Sequence, residues 1–349
     1  MPNFGTYAAD PFGSLPNGGQ IYRITLTAPS GISLEVLTLG ATIHRLYIPS
    51  GEGLTDVVLG KPGLAAYLEN GLCNSSVIGR CANRVADASY VWKGRRTALQ
   101  ANFGRHCIHG GSGCYAMKEF AFSIRREPNA LRLSLWLLDQ GEGGFPGQVA
   151  FRVDYVLDNK SVRIEYQAVP TEDTVWNVTS HAYFDLNGHG SGAADKQVLR
   201  LFAGSYLPAF SNGLPTGEQR SVEGTCFDFR KPVQISDALQ GADEQLSQFG
   251  GFDHNFCIDG QGFRQAAELR GMRTGIRMEV WTDCPGIQMF TLNQVPPAFG
   301  GKDGRRYSRH GAVCLEAQHY PDAVHHREWP SPMIPAGVCS RTKTAFIFR

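Results

Sequence analysis

Period-two alternation of apolar and polar residues recurs along this chain, in IYRITLT (21–27), SLEVLTLG (33–40), LRLSLWLL (131–138), VAFRVDYVL (149–157), SVRIEYQAV (161–169), IRMEVWTD (276–283) and TAFIFR (344–349). In an extended chain successive side chains point to opposite faces, so each segment offers one face to a core and one to solvent. The segments are rich in β-branched and aromatic residues and are bounded by Gly, Pro, Asn or Asp. Helical periodicity is confined to a turn or two in PGLAAYLEN (62–70) and around ISDALQGADEQLSQF (235–249). The pattern predicts an all-β protein. A length of 349 residues suggests two domains or one large all-β unit. The 41 glycines and 19 prolines are spread between strands and not gathered into a linker, which favours one domain over 1–349, with 1–19 as a loosely structured N-terminal extension.

Charge and cysteine usage exclude several functions. Lys plus Arg total 33 against 32 for Asp plus Glu, with no block of like charge, so nothing attracts nucleic acid. The first twenty residues carry neither a basic nor an apolar leader region, and no apolar run approaches the roughly 18 residues of a membrane span. A soluble cytoplasmic protein is expected. The nine cysteines are odd in number, scattered and never spaced C-x-x-C, as reduced thiols would be, and the N-x-[ST] matches at Asn74 and Asn177 carry no weight without a secretory signal. No phosphate-cradling or dinucleotide fingerprint is present, so no nucleotide cofactor is expected. His325 and His326 point to opposite sides if extended, which makes a poor metal site, and no metal is expected. Cys107 and His109 would share a face, which leaves a thiol nucleophile as a minor alternative.

Five stretches hold residues suited to chemistry. In NVTSHAYFDLNG (177–188), read as a strand, His181, Tyr183 and Asp185 share one face, which suits either a cleft wall or a solvated sheet surface. In AVCLEAQHY (312–320), Cys314, Glu316 and Gln318 lie opposite Val313, Leu315 and Ala317, and a solvent-facing Glu is the commoner reading. VIGRCANRVADASY (77–90) sets two arginines and an asparagine among small residues, CIHGGSGCY (107–115) places His109 before paired glycines, and GGFDHNFCIDG (250–260) puts Asp253 in a turn-like context. Each of these three also suits an ordinary turn or surface ion pair.

Taken in order, GRCANRV, IHGG, GEGGFPG, NVTSHAYFDL, GTCFDFR, FDHNF, PGIQMFTLN and CLEAQHYPDAV resemble the aldose 1-epimerase (galactose mutarotase) family, from about residue 20 to the C-terminus. The resemblance implies a large twisted antiparallel β-sandwich with a sugar cleft on its concave side and no cofactor. It implies that Glu316 is a general base and His181 a general acid, and that Asn83, Arg84, His109, Asp253 and Gln288 hold sugar hydroxyls and the ring oxygen. With reference pKa values of about 4.3 for Glu and 6.5 for His, one group would accept a proton while the other gives one. This sequence departs from the family's pattern at GCYAMK, YFDL, FTLN and AGVCS, which leaves the preferred aldose open. A hexose-6-phosphate epimerase would need a cationic pocket, for which Arg305, Arg306 and Arg309 are the available residues, although a solvated loop is the simpler reading of them. A non-catalytic sugar-binding protein on the same fold would not need a matched acid and base.

Overall fold

The structure is a computed structural model that describes residues 4–69, 75–295 and 300–349. Strands dominate it. The α-helices among the described residues are short, Leu64–Leu68, Ile235–Ala238 and Glu244–Phe249, and fall where the periodicity places them.

Three antiparallel sheets carry the architecture. The largest has nine strands in the order Ala121–Glu127, Ala130–Asp139, Val149–Leu157, Ser161–Pro170, Ser340–Phe348, Arg277–Thr282, Arg264–Arg270, Val198–Leu201 and Val233–Gln234. A six-stranded sheet runs Tyr183–Phe184, Val313–Gln318, Gly286–Phe290, Asp253–Cys257, Ser205–Leu207 and Arg220–Ser221. Five strands between Thr6 and Asp56 form a meander. Alternation sorts the residues as expected: Leu131, Leu133 and Leu135 are fully buried, while Arg132 turns to the other face and meets Asp154 and Glu165, each at 2.8 Å. Leu26 and Val36 from the meander, Leu133 and Val153 from the large sheet, and Ile287 and Leu315 from the six-stranded sheet join one apolar cluster. Each such side chain stabilises the fold by about 1.5–3 kcal/mol relative to exposure.

Two expectations are corrected. Within the expected loose extension 1–19, whose residues 1–3 lie outside the described residues, Thr6–Ser14 is instead a strand that pairs with Gln20–Thr27 from Thr6 opposite Thr27 to Ser14 opposite Gln20. Its residues are mostly exposed, and Pro11 and Gly13 flank a register shift, so an edge strand without an apolar face gives no alternation to read. The stretch 177–188 is not one strand either. Thr179–Ser180 pairs with Val77–Ile78, Tyr183–Phe184 pairs with Val313–Gln318, and His181 sits between them. Both faces are buried, and Asp185 lies away from any solvated surface, accepting hydrogen bonds from the Ser191 hydroxyl at 2.7 Å and the Asn187 amide at 3.1 Å. The eight described cysteines are free thiols; Cys73 and Asn74 lie outside the described residues.

Candidate active site

One face of the six-stranded sheet is a polar wall. Antiparallel register sets Glu316 opposite Gln288 and Gln288 opposite Asn255, while the next row sets Cys314 opposite Phe290 and Phe290 opposite Asp253. Residues directly opposite share a face, so Glu316, Gln288 and Asp253 look the same way, and the intervening Leu315, Met289 and Ile287 face the core. The Gln288 amide donates to Asp253 Oδ1 at 2.8 Å, which fixes both side chains.

The facing wall is the loop GRCANRV and its partner IHGG. Asn83 and His109 both adopt left-handed backbone, with φ of 59° and 52°, uncommon for residues with a Cβ. They are tied to each other: the Asn83 amide donates to His109 Nδ1 at 3.2 Å, and the His109 amide donates to the Asn83 carbonyl at 2.9 Å. With Nδ1 accepting, a neutral His109 carries its proton on Nε2, ready to donate. Burial lowers its pKa well below the usual histidine range, and His181 and Arg84 push the same way. Asn83 Oδ1 accepts from Arg84 Nη1 at 3.2 Å, and Arg84 Nη2 lies 3.9 Å from Asp253. The guanidinium passes over Gly213 so closely that a Cβ there would stand 2.5 Å from Cζ.

Arg80, in the same motif, is structural. It is fully buried; its Nε donates to Asp139 at 2.8 Å, Nη1 to the Pro146 carbonyl and the Thr174 hydroxyl, and Nη2 to the Gly147 carbonyl. Tyr115 donates to the same Asp139 oxygen at 2.7 Å. Burial pushes Asp139 upward, but its bond and attraction to Arg80 outweigh that and hold its pKa below the usual value. GRCANRV, GCY and GEGGFPG are therefore joined in one buried ion cluster beneath the facing wall.

Between the walls is a cavity of about 300 Å³ whose lining includes all seven sequence-predicted residues, Asn83, Arg84, His109, His181, Asp253, Gln288 and Glu316. Sequence reading missed the apolar part of the lining, formed by Phe103, Ile108 and Phe290. Phe103 is 41% exposed beside the cleft with Arg84 over its ring, and Phe290 stands opposite Asp253; only a knowledge of strand register would have found it. Of the residues in which this chain departs from the family's pattern, Phe290 of FTLN is in the lining, whereas AGVCS and Asp185 of YFDL are not. Arg305, Arg306 and Arg309 are also outside it. His325 instead meets Asp322 at 2.7 Å and His326 stacks on Trp329. Burial raises the Cys107 thiol to about 11, which keeps it protonated and unfit as a nucleophile.

His181 and Glu316 are the two buried ionisable groups that meet here, with Nε2 3.5 Å from Oε1. The imidazole stacks on Tyr183 at 4.9 Å between ring centroids, and its backbone amide donates to the Ser76 carbonyl. Burial moves the pair in opposite directions. His181 is lowered to about 4. Glu316 is raised well above the carboxylate range by burial and by Asp253, against the pull of Arg84. Reference pKa values therefore mislead here: burial favours the neutral form of both groups, a carboxyl that keeps its proton more readily and an imidazole that takes one less readily. The arrangement can pass protons to and from a bound polyol whose hydroxyls meet a guanidinium, a carboxylate and two amides.

A family model described as aldose 1-epimerase matches residues 22–346. The chain is 33% identical to a galactose mutarotase of Sus scrofa over 97% of both chains, and 34% identical to that of Homo sapiens over 93% of this chain and 94% of the other. It is 30% identical to an aldose 1-epimerase of Escherichia coli (strain K12), covering 91% and 92%. Among solved structures, a galactose 1-epimerase from Lactobacillus acidophilus NCFM superposes with a TM-score of 0.87 at 25% identity over 99% of each chain. By sequence along nearly its whole length, and by a fold shared with a solved relative, the chain belongs to the aldose 1-epimerase family, whose members are isomerases.

Proposed function

We propose that the protein is an aldose 1-epimerase acting in the cytoplasm on a free aldose such as galactose or glucose, with Glu316 as base and His181 as acid. The observation that carries this reading is the buried His181–Glu316 pair, 3.5 Å apart, in a cavity lined by five further polar residues. Interconversion of anomers removes the proton of the C1 hydroxyl while the ring oxygen gains one, which opens the ring to an aldehyde. Rotation about C1–C2 presents the other carbonyl face, and the same groups then run in reverse. The pair has one proton to give and one site to receive, so the reaction needs no net proton from solvent. The form with ionised Glu316 and protonated His181 has the same proton count as the neutral form, and gains from the attraction between them and from Arg84. The lining favours an unphosphorylated sugar, since its arginine, Arg84, lies 3.9 Å from the Asp253 carboxylate and the arginines of 305–309 lie elsewhere. A protein that only bound sugar would have no use for a desolvated acid–base pair.

Freshly dissolved α-D-galactose and α-D-glucose should mutarotate faster with the protein than in buffer, followed by polarimetry without added metal or nucleotide. A rate equal to that of buffer for several free aldoses would overturn the reading.

Arg84→Ala and Asp253→Ala should each weaken substrate binding by about 1–3 kcal/mol, the contribution of a charge-assisted hydrogen bond. The change is expected mainly in KM. Unaltered KM and kcat in both variants would place the sugar elsewhere.

A further inference from the structure

We propose that His181, Glu316 and Cys314 together form a latent site for a soft divalent cation such as zinc, whose binding shuts the proton-transfer pair off. The inference rests on the function proposed above for its inhibitory half alone. One ligand atom from each of the three lies within 4.8 Å of the others, and all three residues are buried. The 3.5 Å separation of His181 Nε2 from Glu316 Oε1 is close to the edge of a zinc tetrahedron, about 3.4 Å for bonds of about 2.0–2.1 Å to nitrogen and oxygen. Glu316 Oε2 and His181 Nδ1 have no hydrogen-bond partner, so neither is committed elsewhere. Cys314 is on the same face of its strand as Glu316, one row along, and is not part of the cavity lining.

Charge favours the assembly. A thiolate, a carboxylate and a neutral imidazole around a divalent cation sum to zero, which lessens the cost of a buried ion, and the displaced protons leave to solvent. The fourth position of the tetrahedron opens toward the cleft for water. Thiolate and imidazole select zinc, cadmium or cobalt over magnesium and calcium, which require oxygen donors. The other group of three such residues among those described, Asp56, His189 and Asp303, is different in kind: Lys302 Nζ is 2.7 Å from Asp56 and Arg45 is 2.6 Å from Asp303, so cations of the protein already occupy it. Bound metal would take the carboxylate that accepts the C1 proton and the imidazole nitrogen that serves the ring oxygen, and turnover would cease.

The test uses the intact protein, freed of metal with a chelator. Titration with cobalt(II) should produce a thiolate-to-metal charge-transfer band that is absent in Cys314→Ala and Cys314→Ser. Zinc should abolish mutarotation, excess chelator should restore it, and magnesium should leave it unchanged. In Cys314→Ala, which retains both proton-transfer groups, the zinc inhibition constant should rise at least about tenfold. A cobalt band that persists in both Cys314 variants, or wild-type mutarotation indifferent to zinc, overturns the proposal. Failure of the proposed function would show separately, as absence of mutarotation in metal-free protein, and the cobalt band would still report the site.

Discussion

Glu316→Gln and His181→Asn are each expected to lower kcat by about 10² or more, with circular dichroism unchanged, because each preserves a polar shape and removes one end of the proton exchange. The double variant should lose much less than the product of the single losses, since an exchange with one end removed is already disabled. The electrostatics also predict the pH dependence. Activity requires one proton on the pair. Below about pH 4, where His181 also becomes protonated, no base is left; above the raised pKa of Glu316 the proton is lost and no acid remains. The kcat/KM profile should therefore be bell-shaped, with its acid limb near pH 4 and its alkaline limb above the carboxylate range. A variant His181→Asn with near wild-type kcat would end the assignment, and an acid limb near 6.5 would show that burial does not control the histidine.

Arg80→Met should be the most damaging substitution for stability outside the apolar core. It leaves Asp139, together with the Pro146 and Gly147 carbonyls, buried without the cation they surround. Removing one partner of a buried ion pair costs about 3–5 kcal/mol, readable as a lower urea midpoint. Because the folded-state pKa of Asp139 is depressed, the contribution is present at neutral pH and is lost as pH falls through that value, so the gap between variant and wild type should narrow in acid. A gap of the same size at all pH values would mean that packing, not charge, is lost.

Five of the nine strands of the large sheet were legible because each buries residues of an alternating apolar face, as Leu131, Leu133 and Leu135 do at every second position, whereas Ala121–Glu127, Arg264–Arg270, Val198–Leu201 and Val233–Gln234 were not read as strands. Glu316 was legible as a carboxylate among apolar neighbours, though alternation alone left its surroundings open. What placed it in a cleft is register, which sets Gln288 beside it and Asp253 one row away, and register is not written in any single strand. Thr6–Ser14 was illegible because its partner, not its own composition, makes it a strand. Arg80 and Arg84 are four residues apart in sequence with the same side chain, yet one is the centre of a buried ion cluster and the other lines the cavity between the two walls. The displaced pKa values were illegible for a related reason, since desolvation is supplied by residues distant in sequence.

The strand Ser340–Phe348 is expected to be among the last to pair as this protein folds. It joins Ser161–Pro170 to Arg277–Thr282, with Ser161 opposite Ile347 and Met278 opposite Phe348, so one of its two ladders closes a very long loop. Loop-closure entropy is lost before such contacts repay it, and all-β chains with distant pairings fold on the order of milliseconds to seconds or slower. Until that ladder zips, Ser161–Pro170 and Arg277–Thr282 each present an unpaired edge, a template for strands of other chains. Refolding yield should therefore fall as protein concentration rises, and substitutions in TAFIFR should affect it more than equally buried substitutions in the meander.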